Sequence, residues 1–287
     1  MNQNRRTTKN IGIIVPYLAD PFFTEIGQAV EMACIDAGYS PILLSSHGNP
    51  ELEKENLKSL RSLKPAGVLL APFGRTSDRK TIQKFSQEVP LVLFDANISE
   101  TGEAFVGMDN FQSIGLIVEY LCRSGEPPCF FEMKTPSNPN AIKRRQAYQE
   151  SMGRHGFPAH IFQAEGEQWN FEEIGKVEGG GFLSKKVFPT NTVLCSNDRL
   201  AIGMLSAAYE LGIKVGLGRD CSLRIAGHDD HPFSRYTCPP LTTIAQDYAA
   251  IAERAARTLF RIIEADNPPS MRMETFFDGK LVMRDSA

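Results

Sequence analysis

Apolar and polar positions alternate between two periods along the whole chain. Residues 11–15 form a short β-branched run closed by Pro16, and behind it Phe22, Ile26, Ala29, Val30, Ala33 and Ala37 recur at helical spacing. That pattern predicts a strand, a loop and a helix. Asp20 suits the N-cap, Pro21 the first helical turn and Gly38 the exit. The rhythm repeats with a strand at 42–44, a charged amphipathic helix at 50–63, a strand at 67–71, a polar helix around 81–87, a strand at 91–94 and a short run at 105–106. It continues with a helix through 114–121, a strand at 129–131 and a basic helix at 142–154. A helix holding Gly175 and Gly179 to Gly181 is expected to be weak and to fray. A strand at 193–195, a helix at 200–211, a strand at 223–226 and a long amphipathic helix at 248–263 complete the series.

Strands separated by helices imply parallel sheets made of right-handed crossover units, and there are too many strands for one small sheet. The expected fold class is α/β, with two doubly wound, Rossmann-like parallel-sheet lobes. Ligands of such sheets sit against the loops that leave the C-terminal ends of the strands. Site residues are therefore sought after Val15, Ala71, Phe94, Phe131, Cys195 and Ala226.

Composition agrees with this picture and removes several functions. The chain has 287 residues, roughly twice an average domain. Hydrophobic residues at 42% and charged residues at 23% exclude disorder and fibres. Lys plus Arg number 31 against 34 Asp plus Glu, so a net charge of -3 gives no general pull toward a polyanion. Residues 1–10 carry Arg5, Arg6 and Lys9 and no acid, a basic lead before an acidic body. The first apolar run is cut by Pro16 before it reaches the length of a secretory signal, and no segment approaches the roughly 20 apolar residues of a membrane helix. Six cysteines lie far apart with no C-x-x-C, which reads as reduced thiols in a cytoplasmic protein.

Catalytic signatures are missing. There is no P-loop, no G-x-G-x-x-G after a strand, no G-x-S-x-G and no H-E-x-x-H, so neither a catalytic residue nor a cofactor is expected. His228-Asp229-Asp230-His231 offers metal-ligand types, but four adjacent residues rarely converge on one ion. The cluster reads better as a strand-end loop with one carboxylate facing a crevice, and no metal is expected. What remains is Asp20-Pro21-Phe22-Phe23, Asp95, Arg144, Trp169, Asn197-Asp198 and Asp229. Ring faces beside fixed carboxylates, an amide and a guanidinium are the composition of a pocket for a small polyhydroxylated ligand. Each has a plainer role: Asp20 and Asp198 as helix caps, Phe22 and Phe23 as core, Arg144 on a solvated helix face, Trp169 as hinge packing. Their joint placement at strand ends favours the pocket.

These residues stand in a series of segments: Asn10-Ile-Gly-Ile-Ile-Val-Pro16, Asp20-Pro-Phe-Phe23, Pro90-Leu-Val-Leu-Phe-Asp95, Arg144-Arg-Gln-Ala-Tyr148, Cys195-Ser-Asn-Asp-Arg-Leu-Ala-Ile-Gly203, Gly227-His-Asp-Asp230, Pro239-Pro-Leu-Thr-Thr243 and Leu281-Val-Met-Arg-Asp-Ser286. In that order, over nearly the whole chain, they resemble the effector-binding core of the lactose-repressor and galactose-repressor (LacI/GalR) family of bacterial transcription regulators, whose fold is that of type I periplasmic sugar-binding proteins. The resemblance implies lobes at 11–106 with 245–275 and at 107–244 with 276–287, joined by three crossings. It implies an effector of the sugar class, with a purine or other metabolite left open, held in an interlobe cleft by Asp20, Phe22, Phe23, Asp95, Arg144, Trp169, Asn197 and Asp229, with Trp169 stacking on it. Ala96, Glu126, Ala147 and His228 depart from the family's usual residues.

The implied role is the effector-sensing and dimerisation domain of a repressor-type regulator: a cytoplasmic homodimer that is no enzyme and touches no membrane. Operator DNA would be reached only through a helix-turn-helix domain, expected to precede this chain, of which residues 4–10 look like the end of the linker. The alternatives are a solute-binding protein for sugar uptake or chemotaxis, and a hydrolase or isomerase using Asp95, Asp229 and His228.

Overall fold

Apolar runs long enough for a strand and too short for a helix set the frame of the molecule. The structure is a computed structural model that describes residues 8–136, 138–166, 169–265 and 271–287. Most of the basic lead, residues 1–7, lies outside the described residues. The chain builds β1 (Asn10–Val15), α1 (Pro21–Asp36), β2 (Ser40–Ser45), α2 (Pro50–Ser62), β3 (Gly67–Leu70), α3 (Arg79–Ser86), β4 (Leu91–Phe94) and β5 (Ala104–Met108). It continues through α4 (Asn110–Ser124), β6 (Cys129–Met133), α5 (Pro139–Arg154), β7 (Ile161–Ala164), α6 (Phe171–Ser184), β8 (Thr192–Cys195), α7 (Asp198–Glu210), β9 (Arg224–Ala226) and β10 (Thr243–Ala245). It closes with α8 (Tyr248–Glu264), β11 (Met273–Phe277) and β12 (Lys280–Val282). Two compact units result, Met1–Met108 with Asp247–Phe277 and Asp109–Gln246 with Asp278–Ala287.

Unit 1 holds a six-stranded sheet in the order β11-β5-β4-β3-β1-β2, and all neighbours run parallel. Helices on both faces account for strands that are apolar at nearly every position rather than at alternate ones. Ile14, Leu57, Leu60, Leu70, Ile82, Phe85, Leu93 and Phe105 form one buried cluster, each such side chain stabilising the fold by about 1.5–3 kcal/mol. α8 adds Ile251, Ala255 and Leu259 from its buried face.

Unit 2 has a four-stranded parallel sheet in the order β7-β6-β8-β9. Beside it lies an antiparallel pair, β10 and β12, which the expectation of purely parallel sheets did not contain. The chain leaves unit 2 after β10 and re-enters it just before β12, so those two strands run in opposite directions. Parallel bridges between Ala226 and Thr242 and between Asp229 and Ala245 tie this pair to the end of β9 and the loop behind it.

The glycine-rich helix does not fray. α6 runs unbroken from Phe171 to Ser184, with Gly175, Gly179 and Gly180 facing α7. A Cβ on Gly175 would stand 2.2 Å from the Leu200 carbonyl oxygen, and one on Gly203 of α7 would stand 2.0 Å from the Glu172 carbonyl oxygen. Low helix propensity, about 1 kcal/mol per glycine, is offset by a helix–helix approach that no larger residue permits. All six cysteines are free. No helix among the described residues is long and apolar enough to cross a membrane.

Candidate functional site

A dense polar cluster stands at the C-terminal ends of the unit 2 strands. Asn138 caps α5 with its side chain on the Asn140 amide at 2.8 Å, and one turn and a half further on Arg144 projects inward, 8% exposed. Arg144 Nε donates to Asn110 Oδ1 at 3.0 Å, Nη1 to the Ser196 carbonyl at 2.8 Å and Nη2 to Asp229 Oδ1 at 2.7 Å. Asp229 follows β9 in a loop where its φ is 122° and that of Asp230 is 51°. Such backbone costs about 1–3 kcal/mol per residue. It is held by the Asp229 amide on the Ile244 carbonyl at 2.9 Å and the Asp230 amide on Thr243 Oγ1 at 3.3 Å.

Asp229 Oδ1 is the centre of the cluster. Besides Arg144 it meets His228 Nδ1 at 2.9 Å and receives Gln246 Nε2 at 2.7 Å. Burial alone would push this carboxyl up, but the Arg144 charge and the contact with His228 outweigh it and hold it at about 2. His228 is fully buried, and burial together with the Arg144 charge lowers it to about 4 against the pull of Asp229. Its Nε2 lies 3.0 Å from Ser113 Oγ. Ser113, His228 and Asp229 thus have the order of a nucleophilic relay, yet Ser113 is fully buried and offers a substrate no approach.

A second buried carboxylate braces the same loop. Asp198 Oδ2 accepts the His231 amide at 2.8 Å and the Ser234 hydroxyl at 2.6 Å, and Oδ1 accepts the Thr243 hydroxyl at 2.5 Å. Burial and the Asp229 charge raise it to about 7 against those three donors. Asp198 is therefore not a helix cap. Asn197 caps α7, its Oδ1 accepting the Leu200 amide at 2.8 Å, and that leaves Asp198, the first helical residue, pointing into the unit.

The other sequence-derived candidates are placed as follows. Trp169 is 6% exposed and packs edge-on against Phe171 at 5.7 Å. In unit 1, Asp20 caps α1 by accepting the Phe22 amide at 3.0 Å. Phe22 is half-buried, edge-on to Phe23 at 4.7 Å and to Tyr248 at 5.2 Å, while Phe23 itself is in the core at 2% exposure. Asp95 follows β4, buried, with a φ of 60° and its amide on the Val106 carbonyl at 3.0 Å. The structure thus joins Arg144 directly to Asp229 and seats Asn197 next to the Ser196 carbonyl that Arg144 grips. Asn110, Ser113 and Gln246 belong to this cluster and were not nominated from sequence, while His228, which the sequence offered only as a metal-ligand type or an acid-base group, joins them as a neighbour of Asp229. The available sign was polar residues one turn apart, Asn110 and Ser113, at the start of an otherwise apolar helix. Among the described residues no group of three or more His, Cys, Asp and Glu side chains is placed to hold a metal ion.

The loop after β3 in unit 1 rests on a buried acid. Glu53 of α2 accepts the Phe73 amide at 3.1 Å and a hydrogen bond from Ser77. Burial raises its carboxyl to about 7 against those two donors. The folded chain thus binds this proton more tightly than the unfolded one, and the associated stability, present below pH 4.5, is lost as pH rises through 7. Glu53→Gln keeps an acceptor for Phe73 and does not ionise. Urea midpoints at pH 5 and pH 8 are expected to show the variant gaining on the parent by up to about 3 kcal/mol across that window. A constant difference between the two proteins would show that Glu53 does not titrate there.

A family model described as periplasmic binding protein-like domain matches residues 110–287. The HTH-type transcriptional repressor PurR of Mannheimia succiniciproducens is 30% identical over 265 residues, 90% of this chain and 75% of that protein. In fold the chain is similar to the transcription regulator CcpA of Lactococcus lactis, with a TM-score of 0.81, 22% identity, and coverage of 98% of this chain and 99% of that one. It is similar as well to a LacI family transcriptional regulator from Enterococcus faecium with bound ribose, with a TM-score of 0.81, 20% identity, and coverage of 96% and 98%.

Proposed function

We propose, since this chain belongs to the LacI/GalR family of bacterial transcription regulators and has their periplasmic binding protein-like domain, that Arg144 and Asp229 form the centre of its effector site. The observation that carries this reading is the ion pair at the strand ends, in which Arg144 is buried and Asp229 is partly exposed. Apolar residues of the same volume would stabilise a core as well or better, so a buried pair is weak as a stability device and stronger as a recognition device. Asp20, Phe22 and Asp95, at the matching strand ends of unit 1, are that unit's groups for effector recognition, and Trp169 and Asn197 are further groups of unit 2. The effector is a sugar: guanidinium, carboxylate and amide suit hydroxyls, and the Enterococcus faecium neighbour holds ribose.

The protein works as a cytoplasmic homodimer without catalytic turnover, and it regulates operator DNA through a helix-turn-helix domain. The relatives matched in sequence are transcriptional repressors rather than enzymes or solute carriers, which supports this over the alternatives. Effector shifts the regulator only by binding its two conformations with unequal affinity. A thermal-shift screen against pentoses, hexoses, sugar phosphates and nucleobases tests the reading. A ligand at 100 times its Kd adds about 2.7 kcal/mol of stability. The same ligand is expected to change the fluorescence of Trp169, the only tryptophan. Binding that survives Asp229→Ala at the parent's affinity would remove the proposed centre.

A further inference from the structure

We propose that Arg199 is a positioning residue for Trp169: gripping Glu172 from the neighbouring helix, it fixes the start of α6 where a capping side chain would ordinarily do so, and with it the aromatic ring that precedes the helix. This rests on the reading that Trp169 is one of the groups of unit 2 that meet the effector. Every other α-helix among the described residues begins on a side-chain cap, as α5 does on Asn138 and α7 on Asn197. Asn170, at the cap position of α6, makes no such bond. A cap sets where a helix begins and at what angle the chain enters it, so the chain at Trp169 lacks that restraint. The restraint comes from α7 instead. Arg199 Nε donates to Glu172 Oε1 at 2.6 Å and Nη2 to Oε2 at 2.7 Å, a two-point fork that fixes orientation as well as distance. The same guanidinium stands 5.0 Å from the centre of the Phe171 ring, and Phe171 meets Trp169 edge-on at 5.7 Å. One continuous line of contacts therefore runs from Arg199 through the first two residues of α6 to Trp169.

Stability is not what the fork adds. α6 and α7 are already closed on each other by backbone contacts, Gly175 against the Leu200 carbonyl and Gly203 against the Glu172 carbonyl. An ion pair whose acid is 42% exposed contributes little to folding. Its effect is on position. Arg199 follows Asn197 and Asp198 at the start of α7, and Asp198 holds the loop after β9 through the His231 amide and the Ser234 hydroxyl. A single helical turn thus sets both the ring of Trp169 and the loop of Asp229, so the spacing between the aromatic face and the carboxylate is built into α7.

Trp169 is the only tryptophan, so acrylamide quenching of its fluorescence in the intact chain, without ligand, reads its position directly. Arg199→Gln and Glu172→Gln each remove the fork, and each is expected to raise the quenching constant at least about twofold, with a red-shifted emission, as the start of α6 opens locally. The double variant is expected to go no further than either single one, because the two side chains act through each other. Arg199→Lys keeps the charge but not the fork and is expected to resemble Arg199→Gln. Melting temperatures are expected to fall by no more than about 4 °C. Lys176→Gln is the control for a purely structural role. It cuts another ion pair between these helices, Lys176 to Glu210 at 2.7 Å, and is expected to leave quenching at the parent's value. Parent-like quenching in both single variants, additive effects in the double variant, or a rise in Lys176→Gln equal to that in Arg199→Gln each overturns the proposal. Should Arg199→Gln fail to fold, Glu172→Gln, which removes only a half-exposed charge, carries the same reading. No effector is used, so a failed ligand screen would remove the role of Trp169 in recognition and leave the quenching result standing, whereas parent-like quenching would sink the clamp whatever the screen finds.

Discussion

Replacing Arg144 by alanine is expected to lower folding stability by about 3–5 kcal/mol and to abolish effector binding. The substitution removes three donors at once, from Asn110 Oδ1, the Ser196 carbonyl and Asp229 Oδ1. It also leaves Asp229, whose side chain is 22% exposed, without the charge that opposes its burial. Lysine restores charge but not the fork that reaches three acceptors, so Arg144→Lys is expected to fall between parent and alanine. The pH dependence has a definite sign. Asp229 is depressed from 3.8 to about 2 in the folded chain, so its contribution is whole above pH 4 and disappears as pH falls through 2. Urea denaturation followed by far-UV circular dichroism at pH 7 reads the effect. A parent-like midpoint for Arg144→Ala would show that the pair does not hold the loop after β9 in place.

The second large effect lies where α6 meets α7. Gly203→Ala is expected to destabilise by about 2–3 kcal/mol, the usual penalty of overpacking, even though alanine is the better helix former. Its Cβ would stand 2.0 Å from the Glu172 carbonyl and 2.7 Å from the Lys176 amide, both backbone atoms of the facing helix that have no rotamer to escape into. Gly181→Ala is the control. Nothing lies within 4 Å of a Cβ there, so better propensity is expected to leave stability unchanged or raised by up to about 1 kcal/mol. Melting temperatures should then differ by roughly 5–10 °C between the two variants. Equal melting temperatures would mean that the two helices slide apart without penalty.

Much of this architecture was legible because its signals are local. Asp20-Pro21 before a helical period and Gly38 behind it mark α1 without any knowledge of its neighbours, and the apolar runs of β1, β3 and β4 read as strands covered on both faces. What escaped is tertiary in origin. β10 and β12 are three residues each and exist only because the chain returns beside itself, and β7 is an edge strand whose Ile161 and Phe162 are half-buried. The glycines of α6 read as weakness because propensity is a property of the isolated helix, whereas their use depends on α7. The site divides in the same way. Arg144 and Asp229 were singled out by residue type at strand ends, and they meet at 2.7 Å. Ser113, Asn110 and Gln246 were not, because a polar residue in a helix's first turn or at the end of a strand is usually solvated. Only the fold brings Ser113 to His228 across 115 positions of sequence.

The fold itself is α/β, of the type I periplasmic binding protein kind. Its interleaved connectivity has a consequence for biosynthesis. Unit 1 lacks α8 and β11 until residue 277 has been made, and until residues 284 and 286 follow, the loop bearing Asp229 lacks the Arg284 partner of Asp230 and β9 lacks the Ser286 hydroxyl on the Ile225 carbonyl. On a ribosome adding about 5–20 residues per second, neither unit can close early, and the two are finished almost together. A nascent chain stalled before residue 277 is expected to be protease-sensitive throughout and dependent on chaperones, where a protein of two consecutive domains would already shelter its first half.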